Sequence, residues 1–195
     1  MRPIGLKAGD ILLYRSSGSW KSIGTWITLG QWRGTPGEAL EYAHVALCFD
    51  ETQACEMNPP CSRLMPLDGE NWDNIDVYRL DVKGICPFDN QRVLDAFHAS
   101  VRSNLGEGYN YGRIASLLGL GVLARIGLGG VSRWILSKNN PNSSSHREIC
   151  STWGEDRIED SLRVLDPEFN LLPDLGTDQA SPADFPRSPW VKRYA

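Results

Sequence analysis

Apolar and polar positions change their spacing several times along the chain, and each change marks an element. Residues 11–14, Ile-Leu-Leu-Tyr, form a short apolar run after Gly9-Asp10 and predict a buried strand opened by a turn. Ser19 can cap a helix in which Ile23, Trp26 and Ile27 recur at spacings of three and four, before Gly30 and the Gly34-Thr35-Pro36-Gly37 stretch end it. Residues 42–49 alternate as a strand. Ala43, Val45, Leu47 and Phe49 lie on the better core face, with Tyr42, His44, Ala46 and Cys48 on the other. A second strand at 53–57 returns after Asp50-Glu51 as an antiparallel hairpin, bringing Glu56 back towards His44. Further strands are expected at 61–65 and 75–80, with a turn at Asp68-Gly69 between them.

The period then lengthens. Leu94, Phe97, Val101 and Leu105 form the stripe of a helix spanning 88–105 and packed on a sheet. Residues 109–137 are apolar and glycine-rich and predict two short helices broken around 127–130; a polar linker follows at 139–145, and a last helix spans 149–165. Five of the 12 prolines follow Leu165, so the tail is expected to run over the surface with little regular structure. The order of elements predicts an α+β protein whose mostly antiparallel sheet packs against helices.

Length and composition narrow the function. The 195 residues suit a single domain, with 41% hydrophobic and 23% charged residues and a net charge of −4. This excludes a disordered chain and gives none of the basic excess of a nucleic-acid-binding protein. Five cysteines cannot all pair within the chain, which favours a reducing compartment. No apolar leader follows Met1, so a cytoplasmic protein is expected. Residues 114–136 are apolar, but Arg125 and Arg133 interrupt them, and the longest uncharged run is eleven residues, 114–124, short of the ~20 needed to span a bilayer.

The candidate chemistry centres on Cys150, at the head of the last helix. Unpaired N–H groups and the positive dipole end at a helix start favour a thiolate and can hold a carbonyl oxygen as it becomes negative. His44 looks away from Val45, Leu47 and Phe49 and can serve as the base, and Glu56 on the adjacent strand can accept a ring N–H and orient it. Cys150, His44 and Glu56 are thus a candidate triad. His44 precedes Cys150, the reverse of the order in papain, but such triads are defined by geometry and not by chain order.

At these residues the chain resembles the circularly permuted papain-like enzymes of the NlpC type, in their YiiX/YebB-like branch. The matching pieces are Gly9-Asp10-Ile11-Leu12, Ala43-His44-Val45-Ala46-Leu47, Ala54-Cys55-Glu56, Tyr109-Asn110-Tyr111-Gly112, Glu148-Ile149-Cys150-Ser151 and Ser181-Pro182-Ala183-Asp184. The resemblance implies one permuted papain-like catalytic domain over residues 7–189, with an apolar insertion at about 112–142. It implies a cysteine hydrolase of amidase or peptidase type that acts through an acyl-enzyme, Cys150 attacking an amide, ester or thioester. Tyr109 or Tyr111 would lie near the site, and Ser151 joins them as a substrate or oxyanion contact. The substrate would be a peptide or an acylated small molecule, with no cofactor required. An acyltransferase, a lipid amide or ester hydrolase, and a catalytically inactive peptide- or lipid-binding module on the same scaffold remain open.

Other residues have plainer readings. Cys48 and Cys55 lie in strands as small hydrophobes, and Cys61 is a turn residue. Cys86, in Ile85-Cys86-Pro87-Phe88, also precedes a helix and is the rival nucleophile. His98 shares the apolar stripe of its helix as a hydrogen-bonded core residue, and His146 belongs to the serine-rich linker. No close Cys pair of the C-x-x-C kind marks a zinc site, so no metal is expected. Residues 119–124 imitate a dinucleotide fingerprint without its strand and crossover. Residues 114–136 could pack in the core, cover an apolar substrate or touch a membrane surface.

Overall fold

A computed structural model describes residues 1–16, 42–110, 147–173 and 180–195. In chain order its strands are β1 (Ile11–Arg15), β2 (Tyr42–Cys48), β3 (Gln53–Asn58), β4 (Cys61–Pro66) and β5 (Ile75–Leu80), followed by α1 (Gln91–Ser103) and β6 (Gly108–Tyr109). Then come β7 (Arg147–Glu148), α2 (Cys150–Leu162) and β8 (Val191–Arg193). One eight-stranded sheet runs in the order β7-β6-β4-β3-β2-β1-β5-β8. Every pairing is antiparallel except the short β6–β7 contact. The architecture is α+β, with α2 packed on β2 and β3 and α1 packed on α2.

The opening turn is built around Gly9. Its φ of +80° suits glycine, and a Cβ there would come within 2.3 Å of the Phe88 ring. Asp10 beside it is 1% exposed; its carboxylate accepts the Lys7 N–H at 2.8 Å and two Arg79 N–H groups at 2.7 Å. The buried acid therefore ties the start of β1 to β5.

The sheet is covered on both faces, whereas the alternation of β2 singled out one. Val45, Leu47 and Phe49 join the larger core with Phe97, Trp153, Ile158 and Phe185. Ala46 and Cys48, on the other side, are equally buried with Leu6, Leu12, Ala54, Leu67 and Val77.

Helix boundaries differ from the spacing-based expectation for local reasons. Phe88 belongs to a 3-10 turn at Pro87–Asp89, and α1 starts after Asn90, whose side chain accepts the Arg92 N–H at 2.9 Å. That start turns Val93, Phe97 and Val101 inward, while Leu94 is only half-buried and Leu105 is 38% exposed beyond the helix end. Helix α2 ends at Leu162, and Leu165 is exposed. The tail also departs from expectation. It adds the edge strand β8 to β5 and buries Leu171, Ala180 and Phe185, because its prolines flank apolar anchors that reach back into the core. The helix expected around 19–27, the apolar stretch at 112–142 and the polar linker at 139–145 lie outside the described residues.

Candidate active site

Three neighbouring strands assemble the polar side of the site. On β2, His44 stands across from Tyr14 of β1. On β3, Glu56 stands across from Ala46 of β2 and from Arg63 of β4. The period of two puts His44, Ala46 and Glu56 on one face, where Ala46 leaves room for the longer side chains. The His44 Nε2 and Glu56 Oε2 atoms are 2.7 Å apart. The other carboxylate oxygen accepts Arg63 Nε–H at 2.8 Å and Asn58 Nδ2–H at 3.2 Å.

Glu56 is 2% exposed, and burial alone would raise its carboxyl pKa. Hydrogen bonding and charge from His44, then the Arg63 and Asn58 donors, override that cost and hold it down to about 2. The carboxylate is therefore ionised at neutral pH. His44 feels the converse balance. Burial opposes its charge, but the Cys150 thiol and the Glu56 carboxylate both favour it, lifting the imidazole from 6.5 to about 10.

Cys150 reaches the same ring from the opposite direction in sequence. It is the first residue of α2, and it lies close enough to His44 to act on the charge of that ring. The N-cap is Ile149, which has no side-chain oxygen to cap the first turn; the nearby Thr152 hydroxyl accepts the Ile149 N–H at 3.4 Å. Regular helical bonding begins with Trp153 N–H donating to Ile149 C=O at 3.0 Å. The start of α2 thus presents its first N–H groups beside the thiol, without a side-chain cap. Cys150 is 2% exposed, while the His44 side chain retains 21% exposure, so the imidazole is the more open side of the pair.

Of the sequence-derived candidates, Cys150, His44 and Glu56 are brought together. The Ser151 hydroxyl is not free for a substrate, because it donates to Ala180 C=O at 2.6 Å, leaving Ser151 only its backbone as a possible contact. Tyr109 is buried in the larger core, its N–H donating to Pro60 C=O at 3.0 Å; Tyr111 lies outside the described residues.

Tyr14, Asn58 and Arg63 were missed by sequence reading. Asn58 lies two positions beyond Glu56 on the same strand face, a signal that was available; Arg63 and Tyr14 depend on the strand register. The rival Cys86 is half-buried, and burial, as the leading influence, pushes its thiol pKa up. Burial does the same to Cys48 and Cys55. His98 is half-buried and its Nε2 lies 2.9 Å from Phe49 C=O, the core-facing hydrogen bond expected of it. His146 and residues 114–136 lie outside the described residues. Among the described residues, no helix is long and apolar enough to cross a membrane.

The fold recurs in a solved structure. A crystal structure of the metalloprotein yiiX from Escherichia coli O157:H7, DUF1105, aligns with 97% of this chain and 97% of its own, with a TM-score of 0.50 and 15% sequence identity. The fold is yiiX-like. No protein-family model and no curated protein matches the chain.

Proposed function

We propose that the chain is a cysteine hydrolase of the permuted papain-like, NlpC-type kind, cleaving an amide, ester or thioester through an acyl-enzyme. The observation that carries this reading is the His44–Glu56 contact at 2.7 Å beside Cys150 at the start of α2. In this reading the proton shared between Cys150 and His44 rests on the imidazole while the sulfur attacks the substrate carbonyl, forming an S–C bond. The imidazolium then protonates the departing amine, alcohol or thiol. Water, deprotonated by His44, releases the acyl group and restores the thiol. Glu56 keeps the ring oriented and compensates its charge, while Arg63 and Asn58 hold Glu56 in place.

The neighbour yiiX is called a metalloprotein. Among the described residues of this chain, no group of three or more His, Cys, Asp or Glu side chains is gathered to hold an ion, and Glu56 is already engaged by His44, Arg63 and Asn58. Among the described residues the donor set therefore does not fit a metal. Five free cysteines suit a reducing environment, and our reading places the protein in the cytoplasm, acting on a peptide or acylated small molecule.

The test has two parts. Iodoacetamide competition near neutral pH, mapped by peptide mass spectrometry, should modify Cys150 ahead of the other four thiols, and His44→Ala should slow that reaction. Amide, ester and thioester probes should then be turned over by the wild-type protein and not by Cys150→Ala. Equal labelling of the accessible cysteines would favour a binding module on the same scaffold, and preferential labelling of Cys86 would move the nucleophile.

A further inference from the structure

Asp10 holds Arg79, Asp76 holds Arg15 and Arg193, Asp81 holds Lys192 and Glu159 holds Arg163. Glu70 departs from this pattern. It is half-buried, and among the described residues its carboxylate has neither a hydrogen-bond donor nor a cation at ion-pair distance. Its place in the fold puts it beside the site. The connection after β4 leaves Pro66 in register with Gln53, at the turn end of the β2–β3 hairpin. It reaches β5 at Ile75, in register with Tyr14, the cross-strand partner of His44. In between it crosses the sheet face that carries Ala46 and Ala54. Leu67 is buried there, and Trp72, whose N–H donates to Glu70 C=O at 3.1 Å, packs against the same layer. Glu70 therefore arrives on the face of His44 and Glu56. Burial and the charge of Glu56 raise its carboxyl pKa, and His44 is the group that lowers it. Glu70 is also the leading charge on Tyr14, whose ring lies 5.5 Å from the imidazole. A part-desolvated carboxylate beside a second carboxylate, with no cation of its own, leaves the site short of one positive charge.

We propose that Glu70 receives a cationic group on the leaving portion of the substrate, so that the hydrolase prefers bonds to an amine, alcohol or thiol that carries a positive charge. The inference rests on the cysteine-hydrolase reading and gives it a substrate class. In that reading the departing atom takes its proton from His44, so the leaving portion lies against the imidazole, and the acyl portion against Cys150 and the first turn of α2. Glu70 acts on the imidazole and on Glu56, which places it with the leaving portion. The His44 side chain keeps 21% exposure and Glu70 is half-buried, so both retain a side that a ligand can reach, unlike the buried Glu56. Arg63 is committed to Glu56 through Nε and Nη2 and leaves the Glu70 charge for the substrate to balance.

Two acetate esters test this. 4-(Trimethylammonio)phenyl acetate and 4-acetylphenyl acetate release phenols of similar acidity, one cationic and one neutral. Both transfer the same acyl group to Cys150, so the ratio of their acylation rates cancels changes in the thiol or in His44 and reads contact with the leaving portion. Relative to the ratio for hydroxide without protein, wild type should favour the cationic ester about two- to fivefold at low salt, the range of a solvent-screened ion pair. The preference should shrink as ionic strength rises, fall to about one in Glu70→Gln and invert in Glu70→Lys. A wild-type protein without preference would overturn the proposal. So would a preference that either variant leaves intact, which would assign the cation to another group. Both results leave the nucleophile standing. If iodoacetamide modifies Cys150 selectively but neither ester acylates it, the acyl-enzyme reading falls and the cationic substrate with it. If Cys150 is no more reactive than the other thiols, the hydrolase reading fails first.

Discussion

Two buried carboxylates on the same sheet, Asp10 and Glu56, do different work. Among the described residues the Asp10 carboxylate accepts from the Lys7 backbone and from Arg79, donors that keep their protons at any pH the fold survives. Glu56 divides its oxygens between such a guanidinium, Arg63, and a ring that can release its proton, His44. The first arrangement fixes chain geometry and has nothing to pass on. The second holds a titratable group against a thiol, which is what makes it a candidate for chemistry.

Substitution should pull the two apart. Asp10→Ala strands the mostly buried Arg79 charge and should cost about 3–5 kcal/mol in urea denaturation, with Cys150 alkylation in the folded fraction changed less than about twofold. Glu56→Gln keeps an acceptor for His44 but loses the charge. It should cost about 1–3 kcal/mol, and Cys150 alkylation should slow by roughly tenfold or more. A large stability loss with unchanged reactivity at Glu56 would place it beside Asp10 as a scaffold group.

The pH dependence of stability sharpens the contrast. Glu56 is held at about 2 against an ordinary 4.5, so its contribution is present above 4.5 and disappears as the pH falls through about 2. His44 is held at about 10 against 6.5, so its contribution is full below 6.5 and is lost as the pH rises through about 10. Denaturation midpoints across pH should show Glu56→Gln flattening the acid limb, and Cys150→Ser flattening the alkaline limb. The smallest effect belongs to Arg63→Ala. Its side chain is 53% exposed, so calorimetry should register no more than about 1 kcal/mol.

The strands and the His44–Glu56 pairing were readable because each depends on a short-range signal. Alternation in β2 set His44 apart from Val45 and Leu47, and the Asp50-Glu51 turn sent Glu56 back along its flank. The Arg63 and Tyr14 contacts were hidden because they depend on which residue faces which across a ladder, and one strand's polarity does not encode that. Val93 and Leu94 precede Phe97 by four and three residues, spacings that both fit one helical stripe, so the pattern alone does not choose the buried one. The tail departs from the extended surface course its prolines favour because Leu171, Phe185 and Val191 tether it to the core.

The Ser151 bond to Ala180 has a consequence for inheritance as well as shape. The residue next to the proposed nucleophile is moored to a stretch of polypeptide close to the carboxyl end, so the address of the sulfur is written partly in amino acids that never approach a substrate. Changes around Ala180 can therefore disturb reactivity from behind, and selection acting on the reaction would also have to preserve that distant mooring.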